Sequence, residues 1–254
     1  MVSHTPLCTE FGAEIHGIDL ARITEPQFRL VYGMWKRHHV VLFRGQRLSP
    51  ADFDRFAARF GELDAAPPQG DDGEWHASGA HLERPPFARI QHAAEPPGRS
   101  ATWFANLAAA LRSMPPDLVT RLRRLAIRHT GAMLAGAPGR VANEDPLEAL
   151  GTVHPLVIVQ PESGEHALYL GCRRSSWFAG LPLDESERLL NIVWSYATAP
   201  AVSWRHAWRH GDVLLWNNLT TLHRHEAGDS ARQLRRAQLK GRYRLSAPIQ
   251  QEAA

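Results

Sequence analysis

The chain has 254 residues, 44% hydrophobic and 22% charged, with a formal net charge of +3. This suits one large, soluble β-rich domain with a sizeable core. The charge is too mild for a nucleic-acid binder, and no apolar run approaches the ~20 residues of a membrane span. Two cysteines, Cys8 and Cys172, make neither a disulfide framework nor a CxxC pair. Together with an N-terminus that lacks a signal-peptide pattern, they imply free thiols in the cytoplasm. Only Lys36 and Lys240 are lysines; the remaining basic side chains are arginines, whose planar fork suits carboxylates and phosphates.

Residues 5–17 read as two short strands ending in a glycine turn. Apolar residues at helical spacing (Phe28, Leu30, Val31, Met34, Trp35) predict a helix from Glu25 to His38. His39 to Gly45 is a buried strand closed by glycine. Ser49 caps a helix with Pro50 at its first position, and Phe53, Phe56, Ala57 and Phe60 share its inner face. Residues 64–88 have no periodicity and read as a binding loop or lid. Phe87 to His92 and Ala101 to Phe104 are short strands; Asn106 to Met114 and Pro116 to Leu125 are helices.

Residues 131–150, rich in Gly, Ala and Pro, read as an excursion over a site. Val153 to Gln160 is a strand with Ala167 to Leu170 as its hairpin partner. Asp184 to Ala197 is a helix with Leu189, Leu190, Ile192 and Val193 inward. Ala201 to Trp208 is a strand, with Trp204, His206 and Trp208 on one face; this aromatic-basic stretch reads as a strand, not a nucleic-acid stripe. His210-Gly211-Asp212 turns into the apolar strand Val213 to Trp216, and Arg235 to Tyr243 is the last strand. With no repeat or linker, residues 1–254 form one α+β domain around a β-barrel or jelly-roll core.

Two histidines stand out among 14. His76 lies in a loop behind the acidic run Asp71-Asp72-Gly73-Glu74, which itself reads as a solvated loop entry. His223 follows the apolar strand. Strands of a barrel can bring two such imidazoles to one metal, although the pair alone is a weak signal.

Other landmarks accompany them in order. These are Gly12-Ala13-Glu14-Ile15-His16-Gly17-Ile18-Asp19-Leu20, Val40-Val41-Leu42-Phe43-Arg44-Gly45-Gln46 and Arg59-Phe60-Gly61-Glu62-Leu63. Thr102-Trp103-Phe104-Ala105-Asn106, His154-Pro155-Leu156-Val157, Gly211-Asp212-Val213, Trp216-Asn217-Asn218 and Arg232 to Arg236 follow. Together they resemble the taurine dioxygenase (TauD/TfdA) family of Fe(II)/2-oxoglutarate oxygenases over nearly the whole chain. The resemblance implies a double-stranded β-helix, a cupin-like jelly roll, with flanking helices. It also implies oxidation of a C–H bond in a small molecule with O2. Carried across, His76 and His223 are the metal ligands, Thr102 and Arg232 hold 2-oxoglutarate, and Arg236 meets an anionic substrate group.

The chain departs from that family at Ser78, where the family has the ligand aspartate, and at Asn217, where it usually has Asp. With His76, Ser78 and His223 as the catalytic candidates, three readings stay open. In the first, chloride fills the vacancy beside Ser78 and the enzyme halogenates. In the second, water or a nearby group (Glu74, Asp72, Glu83 or His81) completes the shell and the enzyme hydroxylates or desaturates. In the third, the fold survives as a metal-deficient pseudoenzyme or small-molecule binding module. Neither a nucleic acid nor a membrane is expected as partner; the substrate and the oligomeric state are left open.

Overall fold

The computed structural model describes residues 2–64, 73–96, 98, 100–130, 151–226 and 234–249. Strands β1 (Ser3–Pro6) and β2 (Ala13–His16) pair antiparallel ahead of helix α1 (Glu25–His38). A capping box between Thr24 and Gln27 and Pro26 in the first turn start α1. Val31 and Trp35, four residues apart, are its buried stripe. Leu30, expected inward, is 43% exposed, because it lies about 100° around the helix from Val31. The chain leaves α1 through His39, held at φ +62.

Strand β3 (Val40–Phe43) is wholly buried, and helix α2 (Pro50–Ala58) begins at Ser49, reciprocally capped with Asp52, as expected. Phe53, Phe56, Ala57 and Phe60 are all buried. Phe60 makes edge contacts with Trp35 and Phe56. The remaining elements are β4 (Ala88–His92), β5 (Ala101–Asn106), α3 (Leu107–Ser113), α4 (Pro116–Leu122) and β6 (Ala126–His129). Then come β7 (Thr152–Pro155), β8 (Val157–Val159), β9 (His166–Leu168), β10 (Ser176–Phe178), α5 (Leu183–Ala197) and β11 (Ser203–Ala207). Strands β12 (Val213–Asn217), β13 (Thr221–His225) and β14 (Arg235–Leu239) complete the order.

Six strands form the major sheet in the order β1-β2-β3-β12-β4-β14, and three form a second sheet, β11-β5-β13. The apolar run of β12 is central, flanked antiparallel by β3 and β4. Its side chains alternate between two cores. Val213 and Leu215 pack with Phe53, Phe56 and Trp35 on the helix side. Leu214 and Trp216 pack inward with Phe104 of β5 and Trp208. The outer face of the second sheet, including Ala105 and Leu222, packs against α3 and α5. Helices thus flank two facing sheets, and the β-rich α+β expectation with a jelly-roll core holds.

Three further local expectations fail. The strand expected over Val153 to Gln160 breaks at Leu156: β7 pairs with β6, and β8 pairs with β9. Ile192 is 46% exposed, whereas Leu189, Leu190 and Val193 are buried. The last strand stops at Leu239, after which Lys240 bonds Glu62 through its N–H. The expected excursion over 131–150 lies outside the described residues.

Candidate active site

Strand alternation points Thr221, His223 and His225 of β13 away from the helix side, while Leu222 joins the outer core. His76 lies alongside as a one-residue bridge to His223, with N–H···O bonds of 2.9 Å in both directions. The ring centroids are 4.2 Å apart. The two expected imidazoles therefore meet, although most of the chain separates them.

Asn218 fixes the third residue of this loop. Its Oδ1 accepts from the Ser78 N–H at 3.1 Å, and its Nδ2 donates to the carbonyls of Ser78 at 2.9 Å and Pro86 at 2.8 Å. Gly79 follows at φ +69, where a Cβ would stand 2.5 Å from the Pro86 ring. The neighbouring Asn217 accepts the Leu219 N–H and stabilises the turn between β12 and β13.

The position beside Ser78 is filled by Arg89 of β4, a side chain only 3% exposed. Its Nη1 donates to Ser78 Oγ at 2.5 Å and to His223 Nε2 at 2.8 Å. The guanidinium carbon lies 5.4 Å from the Trp216 ring centroid, and the Trp216 and His223 rings are 5.0 Å apart. A guanidinium has only donors and keeps its proton. His223 Nε2 must therefore be the acceptor, so the ring is neutral with its proton on Nδ1. Burial first, then the charges of His76, Arg89, His225 and Arg236, hold its pKa well below the ordinary histidine value. His76 Nδ1 faces the Glu74 carbonyl at 2.9 Å and so donates to it.

Deeper between the sheets, Thr102 Oγ1 accepts from Trp208 Nε1 at 2.9 Å and lies 2.7 Å from His225 Nδ1. Gln91, on the same face of β4 as Arg89, lies 3.4 Å from His225 Nε2. Arg236 of β14 is registered opposite Gln91 and so shares that face. Arg232 and Asp72 lie outside the described residues. Glu74 and Glu83 do not approach the site as ligands: their carboxylates pair with Arg174 at 2.9 Å and Arg244 at 2.6 Å. His81 enters through its carbonyl, which accepts from Thr152. Among the described residues, no group of three or more His, Cys, Asp or Glu is arranged to hold a metal.

The structure thus brings His76, Ser78 and His223 together and places Thr102 beside His225; sequence reasoning did not single out Arg89, Gln91, His225 and Asn218, which lie among them. A signal existed for two of them. In Ala88-Arg89-Ile90-Gln91 the apolar and polar residues alternate, which marks a polar inner strand face.

Residues 3–238 match the family described as taurine catabolism dioxygenase TauD, TfdA family. An alpha-ketoglutarate-dependent 2,4-dichlorophenoxyacetate dioxygenase of Cupriavidus pinatubonensis is 28% identical, covering 91% of this chain and 95% of the relative. An (S)-phenoxypropionate/alpha-ketoglutarate-dioxygenase of Sphingobium herbicidovorans is 27% identical, covering 86% and 87%. The crystal structure of a taurine dioxygenase from Burkholderia xenovorans superposes with a TM-score of 0.81 at 29% identity, covering 97% of this chain and 93% of that one.

Proposed function

Because the chain belongs to the taurine catabolism dioxygenase (TauD, TfdA) family, a family of enzymes, we propose that it acts on a small organic anion between its two sheets. A 2-oxo acid of the 2-oxoglutarate class is its companion ligand. The observation that carries this is the inner face of β4 and β14, where Arg89 bonds His223 and Arg236 stands opposite Gln91, the neighbour of His225. Arginine forks suit carboxylates. The relatives point the same way, since phenoxyacetate and phenoxypropionate are organic anions and both names carry alpha-ketoglutarate. Arg232, outside the described residues, is a further candidate clamp. The aromatic rings of Phe104 and Trp216 around His223 exclude water, and the Trp208–Thr102–His225 chain holds the inner imidazole in orientation.

The iron of the family fares differently. Among the described residues, those offered to it are the imidazoles of His76 and His223 and the neutral hydroxyl of Ser78, with a guanidinium on the nitrogen that would bind the ion. That set does not fit a resident Fe(II), which favours imidazole together with carboxylate. The 4.2 Å approach of the His76 and His223 rings favours a second reading. In it His76 and His223 would hold an ion once Arg89 released His223 Nε2, and that ion would supply oxidation of a C–H bond. Neither relative's name carries the chloride of the halogenating version. We place the protein in the cytoplasm on its two free cysteines; among the described residues no helix is long and apolar enough to cross a membrane.

The test has two stages. Calorimetry with 2-oxoglutarate and aryloxy acids, in chelator, reads anion binding. Incubation with Fe(II) under air then reads succinate. Binding in chelator supports the first reading, and succinate supports the second. The absence of both oxo-acid binding and turnover would sink the proposal.

A further inference from the structure

The major sheet carries a second polar place on its other face. Strand alternation sends Arg89 and Gln91 of β4 inward and His92 the opposite way, towards α2. The His92 ring lies against Phe53, with centroids 6.1 Å apart and planes at 19°. It is 1% exposed, yet neither ring nitrogen has a hydrogen-bond partner. The Gln46 carbonyl is near but does not reach bonding geometry. A buried polar group of this kind costs stability until something satisfies it.

His92 lines a cavity of about 330 Å³ together with Arg47, Leu48, Ser49, Ala94 and His210. No carboxylate lines it. Arg235 of β14 stands opposite His92 in register, with its guanidinium carbon 6.0 Å from the Phe53 ring centroid. Among the described residues, neither Arg47 nor Arg235 has an acidic partner. The other polar groups at the rim are already committed. The Gln46 side chain serves Leu20, Ile18 and Arg44. The Ser49 hydroxyl donates to Asp52, which itself pairs with Arg55. His210 Nε2 donates to the Ala94 carbonyl at 3.2 Å. The buried Asp212 is held by Arg44 and His206. Burial first, then the charges of Arg235 and His210, hold the His92 pKa below the ordinary histidine value. The ring is thus neutral near pH 7, with one N–H to give.

We propose that this cavity binds a phosphate-class oxyanion, either inorganic phosphate or the phosphate end of a small monoester, held by Arg47, Arg235 and the buried N–H of His92. The three donors come from three different segments, the loop after β3, β4 and β14. A tetrahedral oxyanion has oxygens for several directions, whereas the two oxygens of a carboxylate share one plane. Guanidinium forks match phosphate in pairs of hydrogen bonds. The site lies across the sheet from Arg89 and does not depend on what His76 and His223 take.

The full chain, in phosphate-free buffer at fixed ionic strength, is titrated by calorimetry with inorganic phosphate, glycerol 3-phosphate and acetate. One equivalent of phosphate or monoester should bind, with acetate at least about 10-fold weaker. The tighter of the first two identifies the free ion or the monoester as the ligand. Arg47→Ala and Arg235→Gln should each weaken phosphate about 10-fold or more, the loss of one charge-assisted pair. Arg47 is exposed, so this arm stands even if other variants fold poorly. His92→Phe keeps the ring against Phe53; it should weaken phosphate and raise the urea midpoint, because an unsatisfied polar group is removed. Saturating 2-oxoglutarate should leave phosphate affinity unchanged. No saturable phosphate binding by the wild type, acetate as tight as phosphate, or full affinity in both arginine variants would overturn the proposal. If phosphate binds as expected but 2-oxoglutarate does not, only the function proposed above falls.

Discussion

Replacing Asn218 by alanine should detach the His76 loop from the barrel. The side chain is fully buried and makes three hydrogen bonds, two with the Ser78 backbone and one with the Pro86 carbonyl. Its removal strands one buried N–H and weakens two buried carbonyls. Each such loss costs roughly 1–3 kcal/mol, so the expected destabilisation is about 3–5 kcal/mol. Against a usual total of about 5–15 kcal/mol that is a large fraction. Urea unfolding followed by tryptophan fluorescence measures it. Asn218→Asp sharpens the test. It keeps the acceptor for the Ser78 N–H but sets a carboxylate oxygen against two carbonyls, and should be at least as damaging. A loss below about 1 kcal/mol for alanine, or an aspartate variant as stable as the parent, would show that the loop is held by other contacts.

Three further outcomes follow from particular groups. Burial, with His154 and His81 nearby, pushes His129 down to about 3. The unfolded chain therefore takes up that proton first, so stability is full above pH ~6.5 and falls towards pH 3. The loss is about 2 kcal/mol between pH 8 and pH 5. His129→Gln should flatten that limb of the urea-midpoint profile, and an unchanged slope would refute the assignment. Glu226 is held down to about 2, chiefly by Arg205 and then by the Trp103 N–H. Its contribution is present above roughly pH 4, the unfolded value, and disappears as pH falls through about 2. The pair is exposed, so Glu226→Gln should change the acid limb less than His129→Gln does, and a larger change would contradict the screening argument. Gly79→Ala must hold a Cβ at positive φ against Pro86. It should cost about 1–3 kcal/mol by thermal melting, and a neutral result would mean that the turn relaxes freely.

The helix starts at Thr24 and Ser49 were readable because capping is local chemistry within a few residues. The central strand β12 was readable because burial on both faces leaves only apolar residues. Strand β13 was not, because Thr221, His223 and His225 turn polar atoms inward for the site, which erases the apolar alternation that marks a strand. His76 and His223 could be paired only through the family resemblance, since nothing local joins them. Ser78 stood out only through the family resemblance. Its bond to Arg89 was not legible, because Arg89 reaches it from another strand, and a lone arginine in a sequence reads as solvated surface. The oxygen of Thr102 faces Trp208 and His225, neighbours on other strands that no local pattern announces. Leu30 and Ile192 were misread because a helical stripe narrower than the apolar pattern leaves its edges in water.

The grip of Arg89 on both Ser78 and His223 constrains what neighbouring sequences can reach. An acid at position 78 would pair with the arginine and draw it from the imidazole, and loss of the arginine would leave the serine and imidazole facing each other across a hole. Neither position can change alone without disturbing the other, so the two are expected to vary together.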